Sequence, residues 1–196
     1  AKELVKLMEN QPYQFVLNYS QKEKSKLKNF KHRTFNANDL DFYLRALQFH
    51  YTENDSLESA FYTKEKSESI EPHLTHFYQY FRAITPNESR NFKHISTPEK
   101  NAACKRLCMY LRWMVRHDEI DFGIWTSMNT SQLVIPLDVH VMNVAAQLNL
   151  IDINDKPNWK TAIKLTEKLK KYDSQDPVKY DLALFSMGID SKSNNL

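Results

Sequence analysis

The sequence predicts an all-α fold, and three observations carry that expectation. Only two glycines occur in 196 residues. No Asn-Gly or Asp-Gly pair is present to turn a tight β-hairpin. Apolar residues recur at i, i+3, i+4 and i+7 along most of the chain. The shortage of glycine also excludes phosphate-cradling P-loops and dinucleotide fingerprints, because Gly123 and Gly188 stand far apart. The chain is long enough to bury a sizeable core as one domain, or as two small halves sharing one core.

The elements follow in order. Leu4, Leu7 and Met8 form one stripe of a first helix, ended by Pro12. Asn38 is the expected N-cap of a helix carrying Leu40, Tyr43, Leu44 and Leu47. Ser56 to Thr63 makes a short turn or helix, and Glu71-Pro72 opens another with Leu74, Phe77, Tyr78 and Phe81 inward. Ser96-Thr97-Pro98-Glu99 combines a capping box with a first-turn proline, so a helix is expected from there through CKRLCMYLRWMVR. On it Cys104, Leu107, Cys108, Leu111 and Val115 share an apolar face, with Lys105, Arg112 and Arg116 on a line beside it. A loop with Gly123 and Trp125 follows. Pro136 disfavours helix before it, Asp138 is a good N-cap, and Val141, Val144, Ala145 and Leu148 form the next stripe. Trp159, Ile163 and the Leu165–Leu169 stretch give one more helix. Asp176-Pro177 opens the last, which Gly188 closes. Residues 1–190 are expected to form a single helical domain of two sub-lobes, with 191–196 a disordered tail.

Cys104 and Cys108 cannot by themselves build a four-thiolate site, and nothing points to a secreted disulfide scaffold. The opening AKELVKLMEN is charged, unlike a signal peptide, and starts within a helical pattern without an initiator Met, as a fragment would. No apolar run is long enough to span a bilayer. The expectation is a soluble, cytoplasmic, monomeric protein with no membrane partner. His73 and His76 stand i, i+3 on a helix, yet no further ligand is evident and no metal site is expected.

The net charge of +3 conceals segregation. Six bases face one acid from Lys22 to Arg33, and seven face one acid from Arg90 to Arg116. Clustered lysine and arginine suit a polyanion such as a nucleic-acid backbone, whereas the plainer reading is a solvated helix face.

The stretch IPLDVHVMNVAAQLNL resembles the segment V-D-T-H-V-x-R-V-x-x-x-L of the helix-hairpin-helix DNA glycosylase superfamily. In that superfamily the aspartate caps a helix beside the damaged-base pocket, and a catalytic lysine, when present, lies upstream where a helix leaves the hairpin. Lys105 stands there, 33 residues before Asp138. That spacing is similar to the archaeal 8-oxoguanine glycosylase branch. The combination KRLCMYLRWMVR, DFGIW, IPLDVHV and DPVKYDLALFSMG also resembles an uncharacterised bacterial domain family of this superfamily, whose members carry an additional N-terminal segment. Three departures stand out. HISTPEKNAACK replaces the glycine-rich hairpin, Asp-Val-His replaces Asp-Thr-His, and the four-cysteine cluster is absent.

The resemblance implies two helical lobes with a cleft between them, and the hairpin and active-site segment at 96–150. It implies an N-glycosylase with AP-lyase activity, acting on an oxidised purine such as 8-oxoguanine in damaged double-stranded DNA, without a cofactor. Lys105 would be the nucleophile and Asp138 the carboxylate that stabilises positive charge on the sugar. Lys100, Asn101, Arg106, Arg112, Arg116 and His140 would contact DNA. Trp113, Trp125, Phe77 and Phe81 would wall the pocket of the extruded base. The plainer readings are an N-cap for Asp138, a surface position for Lys105 and packing for His140. The alternative function is a non-catalytic nucleic-acid-binding module that keeps the fold.

Overall fold

The computed structural model describes residues 2–64, 67–85 and 89–193, with the backbone alone at 89–90 and 190–193. Among these residues the chain forms nine α-helices and one two-stranded hairpin. It divides into two compact units. The first comprises 1–61 and 77–95, the second 62–76 and 96–196.

In the first unit α1 (Lys2–Leu7) ends where Glu9 and Asn10 turn left-handed, and Pro12 opens α2 (Pro12–Leu17) at its first position. Ser20 caps α3 (Gln21–Lys26). The chain then turns through a hairpin, β1 (Lys31–His32) with β2 (Phe35–Asn36), around Arg33 at φ 56°. This turn needs no Asn-Gly pair and was not expected from the sequence.

The longest helix, α4 (Ala37–Glu53), is capped by Asn36 rather than Asn38. The Asn36 side-chain oxygen accepts from the Asn38 and Asp39 amides, and Asp39 accepts from the Asn36 amide at 2.9 Å. Asn36 ends a strand in extended backbone, which is what a cap requires, while Asn38 is already helical. Leu40 and Leu44 of α4 close on Met8, Phe15, Val16, Tyr19 and Leu27 to form this unit's core. Burying each such side chain contributes about 1.5–3 kcal/mol.

A helix shared along the chain, α5 (Glu71–Ile84), places its later turns in the first unit and its first turn and a half in the second. Phe77 and Phe81 belong to the core of the first unit, with Phe77 stacked on Phe61 at 4.1 Å.

The second unit holds α6 (Lys105–Val115), α7 (Val139–Gln147), α8 (Trp159–Lys170) and α9 (Asp181–Ser193). Leu133 to Leu137 runs buried into α7, and the Ile135 amide donates to the Thr166 hydroxyl at 3.1 Å. Gly188 does not close the last helix. It lies inside α9 against α7, where a Cβ would sit 2.8 Å from both the Cβ and the carbonyl oxygen of His140. The absent side chain sets how closely the two helices approach. Residues 194–196 of the expected tail lie outside the described residues. No helix among the described residues is long and apolar enough to cross a membrane.

The continuous helix expected from Ser96 is broken. Thr97 caps a single 3-10 turn, Pro98–Lys100; Asn101 (φ 52°) and Cys104 (φ 49°) are left-handed, and α6 starts only at Lys105. The cause is tertiary. Asn101 turns to face α8, its carbonyl accepting from the Trp159 amide and its side-chain oxygen from the Lys160 amide, both at 3.2 Å. These donors lie in the first turn of α8, whose earliest N–H groups have no partner within the helix. Asparagine is the residue after glycine that best tolerates this backbone conformation.

Candidate active site

The broken segment decides where Lys105 stands. In a continuous helix it would sit in the third turn, whereas here it is the first residue of α6. Its Nζ donates to Asp138 Oδ2 at 2.7 Å, joining positions 33 residues apart. Asp138 is the N-cap of α7, in extended backbone, and its other oxygen accepts from the Val141 amide at 2.9 Å. The lysine side chain is 42% exposed and the carboxylate 13%.

The electrostatic setting follows from these partners. Burial pushes the Asp138 carboxyl up, but the Lys105 and Val141 hydrogen bonds outweigh it and hold the group below its ordinary value. The positive end of α7 supports the same anion. Lys105 occupies the positive end of α6, an unfavourable place for a cation, and Asp138 compensates it. The Nζ also lies 6.0 Å from the centre of the Phe185 ring on α9, within range of a cation–π contact.

A second charge cluster lies on the same helix. Arg112 is buried, its Nε 3.3 Å from Asp121 and its Nη1 on Asp181 at the start of α9. Arg116 bonds Asp121 at 3.1 Å, Asp176 at 2.8 Å and Asp118. Burial pushes Asp181 up to about 6 against the pull of Arg112, and the charge of Asp138 adds to the rise.

These positions sort the expected site residues. Lys105 and Asp138 are brought together. Lys100 and Arg106 are exposed on either side of the break, whereas Asn101 is engaged with α8. The expectation that Arg112 and Arg116 face a phosphate backbone is corrected, because internal carboxylates occupy both guanidinium groups. His140 packs between helices, its Nδ1 3.1 Å from the Gly188 carbonyl oxygen and its ring edge-on to Phe185.

Trp125 is buried edge-on to Tyr110 at 5.4 Å, and Trp113 is half-buried on α6. Phe77 and Phe81 are core residues of the first unit, their rings 4.7 Å apart, so they do not offer open faces to a base. Asp121, Asp181 and Phe185 were missed. The acidic remainder of the chain signalled that some arginines would be neutralised, but not which ones. Among the described residues no three His, Cys, Asp or Glu side chains gather as a metal site.

Neither the curated proteins nor the solved structures contain a match to this chain. A family model does match, over residues 1–190, nearly the whole chain. The protein therefore belongs to the DUF2400 family, described as a protein of unknown function.

Proposed function

We propose that the protein is a DNA glycosylase with lyase activity that removes an oxidised purine through Lys105. The observation that carries this reading is the 2.7 Å contact between Lys105 Nζ and Asp138 Oδ2. It joins an amine and a helix-capping carboxylate at the two positions that match the helix-hairpin-helix glycosylase pattern. The left-handed residues Asn101 and Cys104 add support, since they make sharp turns in a hairpin segment that has no glycine. Exposed Lys100 and Arg106 flank the start of α6, where backbone N–H groups suit a phosphate.

The chemistry runs in two stages. Asp138 takes a proton from the Lys105 ammonium, and the amine attacks C1′ of the damaged nucleotide. The glycosidic bond breaks, and its electron pair leaves with the base, which a proton then neutralises. Asp138, anionic again once it has passed its proton on, stabilises positive charge developing on the sugar. The attached nitrogen passes a proton to O4′ as the C1′–O4′ bond opens, giving a protonated imine between C1′ and Nζ. Loss of a C2′ proton then expels the 3′ phosphate, which cleaves the strand.

Borohydride trapping tests the reading, because reduction converts the imine to a stable amine. Duplex DNA bearing 8-oxoguanine or an abasic site should give a covalent adduct with the full chain and none with Lys105→Gln. Asp138→Asn, which keeps a capping side chain, should slow adduct formation by about a hundredfold or more. An adduct that persists in Lys105→Gln overturns the assignment of the nucleophile. Salt-sensitive DNA binding with no adduct on any lesion overturns the enzyme and leaves a non-catalytic binding module.

A further inference from the structure

We infer that the first unit carries a separate surface for the phosphate backbone of nucleic acid, formed by Lys28, Lys31 and Arg33 around the β1–β2 turn. No acid occurs from Lys24 to Asn38, and five bases do. The fold divides those five. Lys24 pairs with Asp41 at 3.1 Å and Lys26 with Glu9 at 2.5 Å. Lys28, Lys31 and Arg33 are exposed, and none has a carboxylate within ion-pair distance among the described residues.

The nearby acids are committed elsewhere. Asp39 caps α4 and lies 3.4 Å from His94, while Asp41 also takes Arg45 and the Tyr19 hydroxyl. Among the described residues the three cations therefore have no carboxylate to compensate them, an arrangement that suits an external polyanion.

Shape and lining favour a nucleic acid among polyanions. Lys28 and Lys31 border an open depression of about 390 Å³ whose other walls include Asn29, Phe30, Asn36 and Asn38. Amide side chains bond phosphate and sugar oxygens while the lysines and arginine supply charge. A fluid lipid surface offers phosphate too, but it is met by an amphipathic face that buries apolar side chains. Here the hairpin is polar outside, with Lys31 and His32 both exposed, and Phe35 turned onto Phe30 and Tyr43. The Asn38 and Asp39 amides at the start of α4 already donate to the Asn36 side chain.

The inference does not need the Lys105 chemistry, and its test keeps the two apart. Binding of a labelled undamaged duplex to the full chain is titrated across a range of salt concentrations. Lys28→Gln/Lys31→Gln/Arg33→Gln is compared with a control at other exposed lysines, Lys156→Gln/Lys160→Gln/Lys171→Gln. The first variant should bind at least about tenfold more weakly at low salt and lose roughly two to three units of the log K against log salt slope, about 0.9 per phosphate contact. The duplex carries no lesion, so this binding is read apart from the trapping experiment. An unchanged slope in the hairpin variant overturns the surface, as does an equal loss in the control. So does tighter binding to phosphatidylserine vesicles than to the duplex when only the vesicle binding is lost in the variant.

Discussion

The Lys24–Arg33 stretch and helix α6 carry similar cationic patterns, yet the fold treats them in opposite ways. On α6, Arg112 and Arg116 are drawn inward by Asp121, Asp176 and Asp181, so charge that looks available in the sequence holds the second unit together. In the first unit, Lys28, Lys31 and Arg33 stay exposed and, among the described residues, without a carboxylate partner after Lys24 and Lys26 have found theirs. The difference lies in the acids. Those that neutralise Arg112 and Arg116 arrive 2 to 69 residues later, carried by the loop after the helix and by the approach to α9. Cation density alone therefore does not identify a polyanion surface. Cations left over after internal pairing do.

The largest effect that could break this comparison belongs to Arg112. Arg112→Met removes the buried guanidinium that bonds both Asp121 and Asp181, leaving Asp181 in a low-dielectric interior without the cation it bonds while Asp121 keeps Arg116. The variant should lose about 3–5 kcal/mol of stability in urea denaturation. A loss below about 1 kcal/mol would place the pair in contact with water and remove the contrast with the hairpin.

The pH dependence sharpens the same point. The fold raises Asp181 to about 6 from its ordinary 3.8, so the folded state holds that proton more tightly than the unfolded chain. Its contribution to stability is complete below about pH 4 and is lost as pH rises to about 6. The change is on the order of 3 kcal/mol. Asp181→Asn should flatten that part of the stability–pH curve, whereas Asp138, held below its ordinary value, contributes stability that is complete above about pH 4 and is lost as pH falls below it. A curve that keeps its slope in Asp181→Asn would assign the proton to another group.

The smallest effect completes the comparison. Lys28→Gln/Lys31→Gln/Arg33→Gln should move stability by no more than about 0.5 kcal/mol, because exposed, unpaired side chains hold nothing together. A loss above about 2 kcal/mol in thermal or urea unfolding would show that these cations are structural, like Arg112.

Much of the fold was legible. The stripe Leu74, Phe77, Tyr78 and Phe81 became α5, and Asp138 caps α7 as its place after Pro136-Leu137 implied. At the site the pairing of Lys105 with Asp138 was legible only through resemblance, since spacing along a chain does not state separation in space. The break at Asn101 was not legible. Ser96-Thr97-Pro98-Glu99 is a sound helix start, and the helix stops after one turn because the Asn101 backbone and side chain bond two amides of α8. Nor was the cap at Asn36, which required knowing that Phe35-Asn36 closes a hairpin.

Local chemistry by itself determined a helical chain, the entry of α7 at Asp138 and the apolar faces that meet in each core. Those features depend on residues within one or two turns of each other, which linear order brings together. Tertiary structure alone decided that Lys105 opens a helix, that Gly188 serves the contact with His140 rather than a helix end, and that Arg112 lies buried while Lys28 and Arg33 face water. Each of these depends on a partner supplied by the path of the backbone, and the energy of an ion pair or a close packing contact is set by that separation in space.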